Sequence, residues 1–292
     1  MDHRVQIERL GSKPTDSGLQ SLVPPLRPEP AERAWGFPRS RVPARERLIV
    51  ALDVPAVHDA VRLVDALASA VTWFKVGSEL FTAAGPQAVA AVRERGKRVF
   101  LDLKFHDIPR TVASAVDAAV RLGAEMINLH VAAGEDAMRE AVHALDGIEP
   151  ATGHPSPATS SRITNHESRI TFRPLLLGVT RLTSEQDGPE LLAAVVDAAA
   201  RAKWCGLDGV IASARETAAI KAACGREFVV VTPGIRPAGA PSGDQRRVTT
   251  PADAVRAGAD FLVVGRPVLS AADPVAVVAR MVQEMEAAIG KS

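Results

Sequence analysis

The chain has 292 residues, 47% of them hydrophobic and 24% charged, with a formal net charge of +1. That length suits two small domains or one large α/β barrel, and the balanced charge offers no field for nucleic acid or an anionic membrane surface. Aromatics are only 4% with no tyrosine, so the core has to come from Ala, Val, Leu and Ile, which suits helices packed on short buried strands.

Residues 1–46 differ from the rest of the chain. They hold seven of the 21 prolines and no sustained apolar period, which predicts a disordered N-terminal extension or a start placed too early. Asp2, Glu8, Asp16, Glu29, Glu32 and Glu46 argue against a transit peptide, and there is neither an apolar signal core nor a run near the ~18 apolar residues of a membrane span. Cys205 and Cys224 lie in helical stretches without metal-like or CxxC spacing and read as reduced core thiols. A cytoplasmic enzyme with no membrane or nucleic-acid partner is expected.

From residue 47 to 290 short apolar runs alternate with Ala-rich helical periods. The runs LIVALD (48–53), TWFKVG (72–77), RVFLDLK (98–104) and EMINLHV (125–131) read as buried parallel strands. So do PLLLGVT (174–180), LDGVIAS (207–213), FVVVTPG (228–234) and DFLVVGR (260–266). Helical segments include 57–70, 111–122, 189–203 and 273–289. Eight strand–helix units predict a single α/β domain, the parallel (β/α)₈ TIM barrel. A doubly wound sheet would carry a GxGxxG or GxxxxGK[ST] turn, and neither occurs. The one long gap, between strands 4 and 5, contains a Pro/Ser/Thr-rich stretch at 149–172 with SRIT repeated at 161–164 and 168–171, read as a surface-loop insertion.

The chemistry gathers where strands end. In FLDLKFHDIPRT (100–111) the period of two sends Asp102 and Lys104 to one face and Leu101 and Leu103 to the other. A solvated ion pair would explain Asp102 and Lys104 alone. However, Lys75 ends strand 2 and Asp53 ends strand 1, and four alternating charges on adjacent strand ends are expensive to desolvate unless a function retains them. Asp107 adds a charge just beyond. His106 and His130 have no carboxylate at ligand spacing and read as packing or hydrogen-bonding residues, so no metal site is expected. At the far end, VTPGIRP (231–237) and VVGRPV (263–268) put glycines and Arg266 after strands 7 and 8, where phosphate sites recur on such barrels. The Gly-rich stretch 236–248 reads as a lid over that site.

Together, ALD (51–53), FKVG (74–77), DLKFHDIPRT (102–111), VTRLTS (179–184), TPGIRP (232–237), GDQRRVTTP (243–251) and VVGRPV resemble the orotidine 5′-monophosphate decarboxylase family over about 48–290, apart from the insertion. Arg110 departs from the common Asn. The resemblance implies cofactor-free conversion of orotidine 5′-monophosphate to uridine 5′-monophosphate. It implies that Asp53 and Lys75 hold ribose hydroxyls, Asp102 faces the substrate carboxylate and Lys104 protonates C6. Thr183 would meet the pyrimidine edge, Gln245 would span base and phosphate, and Arg236, Gly265 and Arg266 would cradle the phosphate. Asp107, Ile108 and Thr111 would reach the neighbouring subunit's site in a homodimer. A sugar-phosphate decarboxylase or aldolase of the same superfamily would want a carboxylate set for Mg²⁺, and no Glu ends strands 1 to 3. A non-catalytic barrel scaffold would be expected to lack one of the four charges.

Overall fold

Each of the eight apolar runs becomes a strand in a computed structural model, which describes residues 42–146, 173–181, 189–238 and 248–290. They are β1 (Leu48–Ala51), β2 (Trp73–Gly77), β3 (Arg98–Phe105), β4 (Met126–His130), β5 (Leu175–Val179), β6 (Gly209–Ile211), β7 (Val229–Thr232) and β8 (Phe261–Val264). All pair in parallel and in chain order, and β8 returns to β1 through Leu48↔Leu262 and Val50↔Val264. The fold is the expected (β/α)₈ TIM barrel.

Helices fill the connections: α1 (Val57–Leu67), α2 (Ser78–Ala84), α3 (Pro86–Arg93), α4 (Pro109–Arg121), α5 (Glu135–Asp146), α6 (Pro189–Trp204), α7 (Ala214–Cys224), α8 (Pro251–Arg256), α9 (Arg266–Leu269) and α10 (Pro274–Ile289). The reason is local for α4. Pro109 occupies its first turn, where the missing N–H costs nothing, and Val112, Val116, Ala119 and Val120 form the buried stripe of a 3.6-residue period.

Alternation along the strands sorts the apolar side chains into two cores. Leu48, Val50, Phe74, Val76, Val99, Leu101, Ile127, Val230 and Leu262 face outward beneath the helices. Ile49, Trp73, Phe100, Met126, Leu175, Leu177, Val229 and Phe261 fill the barrel interior, where the Trp73 and Phe261 rings meet edge to face at 5.6 Å. Full burial of each such side chain is worth about 1.5–3 kcal/mol. The interior is therefore a packed floor on which a site can rest.

The face holding the strand N-termini is pinned by polar contacts. Asp260 accepts from Lys221 Nζ and from the Val230 amide, both at 2.7 Å. Asp208 accepts from Arg173 Nη1 and, at 2.8 Å, from the Leu176 amide. Arg47 donates to the carbonyls of Ala259 and Asp260. Val42 and Ala44 are buried in the two cores, so packing begins ahead of the boundary between residues 46 and 47 expected from the sequence. Residues 1–41, and the 149–172 stretch read as an insertion, lie outside the described residues. Cys205 and Cys224 are buried free thiols, and burial raises the pKa of both. No helix among the described residues is long and apolar enough to cross a membrane.

Candidate active site

At the C-terminal ends of the strands lies a cleft of about 270 Å³, lined by Asp53, Lys75, Asp102, Lys104, Gly234, Arg236, Gly265 and Arg266 among others. Register explains the grouping. Ala51 pairs with Lys75, Lys75 with Phe100, and Gly77 with Asp102, so these residues share the inward face at rising levels. Asp53 continues that face two residues beyond β1.

The four charges form one alternating row. Lys75 Nζ lies 3.0 Å from Asp53 Oδ1 and 3.2 Å from Asp102 Oδ2, and Lys104 Nζ donates to Asp102 Oδ1 at 2.7 Å. Burial by itself would lower the pKa of Lys75, but Asp102 and Asp53 outweigh it and hold the ammonium above its ordinary value. Burial would likewise raise Asp102, but Lys75 and Lys104 outweigh it and hold the carboxyl below its ordinary value. Both groups are thus charged at neutral pH, and the buried centre of the row is compensated from either side. The side chains of Lys75 and Asp102 are each 10% exposed, against 36% for Lys104. Lys104 is the cation presented to the cleft.

Plain alternation does not deliver Lys104 there. The β3–β4 register shifts between Leu101 and Phe105, and Lys104 has φ +52°, the one non-glycine residue with positive φ among those described. A left-handed conformation costs such a residue roughly 1–2 kcal/mol, so the surroundings must hold it. A residue that the sequence reading passed over does so. Asn128, fully buried on β4, accepts from the Lys104 amide at 2.8 Å and donates to Asp102 Oδ1 at 2.6 Å. The sequence did carry a signal for it: in EMINLHV an amide sits between Met126 and His130 on the inward face, and a polar group in a barrel interior needs partners.

The rim beyond β7 and β8 is cationic. Arg236 is buried, and its Nε has no hydrogen-bond partner among the described residues. The backbone beneath it is fixed, because Arg236 N donates to Thr249 O and Thr249 N to Gly234 O. Arg266 follows Gly265 on the same side of the cleft. An orphan guanidinium N–H beside a second arginine and a glycine edge suits an anionic group.

Of the remaining expected residues, Asp107, Ile108 and Thr111 are exposed on the rim and do not line the cleft of their own barrel. Asp107 Oδ1 accepts from the Ile108 amide at 2.6 Å, and Ile108 is 65% exposed. Thr183 and Gln245 lie outside the described residues. His106 and His130 face each other, ring centroids 5.3 Å apart. Burial, His106 and Lys104 together hold the His130 imidazole below its ordinary value. Among the described residues no three His, Cys, Asp or Glu converge as a metal site would require.

A family model described as "Orotidine 5′-phosphate decarboxylase / HUMPS family" matches residues 46–281. The chain is 48% identical over 247 residues to the orotidine 5′-phosphate decarboxylase of Moorella thermoacetica, covering 84% of this chain and 94% of that one. It is 49% identical over 249 residues to the protein of the same name from Nitratidesulfovibrio vulgaris, covering 82% and 97%. Among solved structures, orotidine 5′-phosphate decarboxylase from Lactobacillus acidophilus matches with a TM-score of 0.66 and 33% identity, over 82% of this chain and 99% of that one. An uncharacterized conserved protein from Geobacillus kaustophilus matches with a TM-score of 0.64 and 37% identity over the same shares. Barrel, charge row and arginine wall thus stand in a chain whose similarity runs nearly the full length of these relatives: it belongs to the orotidine 5′-phosphate decarboxylase / HUMPS family.

Proposed function

We propose that this chain decarboxylates orotidine 5′-monophosphate to uridine 5′-monophosphate and CO₂, the last step of de novo uridine monophosphate synthesis. The observation that carries this reading is the row Asp53–Lys75–Asp102–Lys104, which ends in a cation facing a cleft that Arg236 and Arg266 also line. The phosphate sits on the arginine wall with Gly265, and the ribose hydroxyls lie against Asp53 and Lys75. Thr183 meets the base, and Gln245 spans base and phosphate. The C6 carboxylate is thereby brought to Asp102 and Lys104.

Cleavage of the bond from C6 to the carboxyl carbon leaves its electron pair on C6, in an orbital that no neighbouring carbonyl can delocalise, while CO₂ departs. The developing carbanion is stabilised electrostatically by the Lys104 ammonium, which then passes a proton to C6 and is reprotonated from solvent. Asp102 repels the substrate carboxylate but not neutral CO₂, so its charge favours the direction of reaction. The chemistry needs no metal or cofactor. The enzyme works in the cytoplasm as a homodimer, with Asp107, Ile108 and Thr111 of each subunit completing the site of the other.

Loss of pyrimidine absorbance in EDTA reports turnover. Wild type should consume orotidine 5′-monophosphate, and Lys104→Ala should lose at least about 10³-fold in kcat with its circular dichroism unchanged. A folded Lys104→Ala protein within about tenfold of wild type would remove Lys104 from the proton-donor role.

A further inference from the structure

We propose that Asn128 is a positioning residue, whose one amide sets both the Asp102 carboxylate and the backbone that aims Lys104. The inference deepens the reading given above and rests on it for the identity of the substrate.

The amide's orientation follows from its partners. The Lys104 N–H can only donate, so the group 2.8 Å away must be Oδ1; the Asp102 carboxylate can only accept, so the group 2.6 Å away must be Nδ2. Both contacts bear on the charge row. Asp102 Oδ1 receives Lys104 Nζ and Asn128 Nδ2 together, while Oδ2 faces Lys75. On the other side of the amide, the β3–β4 ladder slips between Leu101 and Phe105. It is there that Lys104 takes positive φ, and its N–H is met by the side chain of Asn128 rather than by a strand carbonyl.

A filler role would not call for an amide. Leu177, which pairs with Asn128 from β5, is apolar, as is the interior below it. Asn128 has no exposed surface and does not line the cleft, so it acts only through Asp102 and Lys104. The charged or titratable groups around it are Asp102 and Lys104 from β3, Lys75 from β2 beyond Asp102, and His130 on its own strand with His106 against that ring. From β5 it meets Leu177.

Two variants of the full chain test this. Asn128→Ala removes both contacts. Its kcat per folded site should fall at least about tenfold while KM stays within about threefold, because the phosphate and ribose contacts lie elsewhere. Asn128→Asp keeps the shape and the acceptor for Lys104 N–H but sets a second carboxylate against Asp102. That pair can regain the bridge only by sharing a proton. Activity of Asn128→Asp should therefore fall as pH rises through the pair's titration, on a limb that wild type, with the same histidines and lysines, does not show. Crystal structures of wild type and Asn128→Ala give a readout free of any substrate. Lys104 should leave the left-handed region, and its Nζ should move by about 1 Å or more, a misplacement large enough to matter to chemistry. If wild type fails to turn over orotidine 5′-monophosphate, the proposed substrate falls while these crystal structures still decide the role of Asn128. A kcat for Asn128→Ala within threefold of wild type, with Lys104 unmoved, would overturn the inference.

Discussion

Gly77 sits level with Asp102 on the inward face, and a methyl group there would come within 2.9 Å of Lys75 Nζ and 3.3 Å of Asp53 Oδ1. The nearer atom is the tip of a flexible side chain, so the fold can yield cheaply, but only by moving the ammonium out of its place between two carboxylates. Gly77→Ala should therefore melt within a few degrees of wild type yet lose about tenfold or more in kcat, since small misplacements are costly in preorganised sites. An unchanged kcat would mean that the position of Lys75 is not critical. At this scale the row itself was legible, because Asp53, Lys75, Asp102 and Lys104 stand out as charges at the ends of apolar runs. How Lys104 reaches the row was not. A period of two sends Asp102 and Lys104 the same way, and the structure achieves the same end through a register slip and a positive φ. Such a bulge depends on a partner strand, and no local pattern in β3 announces it. Asn128 escaped notice for a related reason: its importance lies in what faces it across β3, not in its own neighbours in sequence.

Elements were easier to read than contacts. Strands buried on both faces read as continuous apolar runs bounded by turns; seven observed strands fall within the predicted stretches, and β3 runs one residue past its own, to Phe105. Their edges were less visible: β1 stops at Ala51 and β6 spans only Gly209–Ile211, because apolar residues continue past the last ladder bond. The start of the packed chain was placed late for a different reason. Val42 and Ala44 are two isolated apolar residues that find the core only once the barrel has closed. The connection between α5 and β5 leaves and returns on the face of the strand N-termini, opposite the cleft. Its flanks meet there, with Arg173 Nε 3.5 Å from Asp146 Oδ1. A Gly/Ser linker of about five residues reaches up to ~17 Å, so it can join these flanks in place of residues 147–172. That replacement, together with removal of residues 1–41, should leave kcat per folded site within about twofold of the full chain, since chemistry on this fold belongs to the other face. A large fall in kcat with the fold intact would tie one of these segments to the site.

As a whole, the molecule divides its polar residues between two ends. At the strand N-termini Arg47, Asp208 and Asp260 serve backbone groups; at the other end the charges line a cleft. Just outside that cleft, Asp107, Ile108 and Thr111 stand exposed where β3 gives way to α4. An apolar side chain 65% exposed beside a carboxylate at the rim of the cleft is better placed to meet a neighbouring molecule than its own barrel mouth. A two-fold dimer, in which each surface meets its like, would give every site a Lys104 from one subunit and an Asp107 from the other. Mixing two inactive variants separates this arrangement from one in which each barrel works alone. When Lys104→Ala and Asp107→Ala subunits exchange, each heterodimer has one site carrying both lesions and one carrying neither. Random exchange at equal concentrations makes about half of the dimers mixed, so about a quarter of wild-type activity should return. If Asp107 instead served its own barrel, every site in every mixture would carry one lesion, and the activity would stay at the average of the two variants. The measurement is turnover as a function of time after mixing, with exchange followed independently by mass spectrometry of differently tagged subunits. Recovery that tracks heterodimer formation is the expected result; complete exchange with no recovery would place Asp107 outside its neighbour's site.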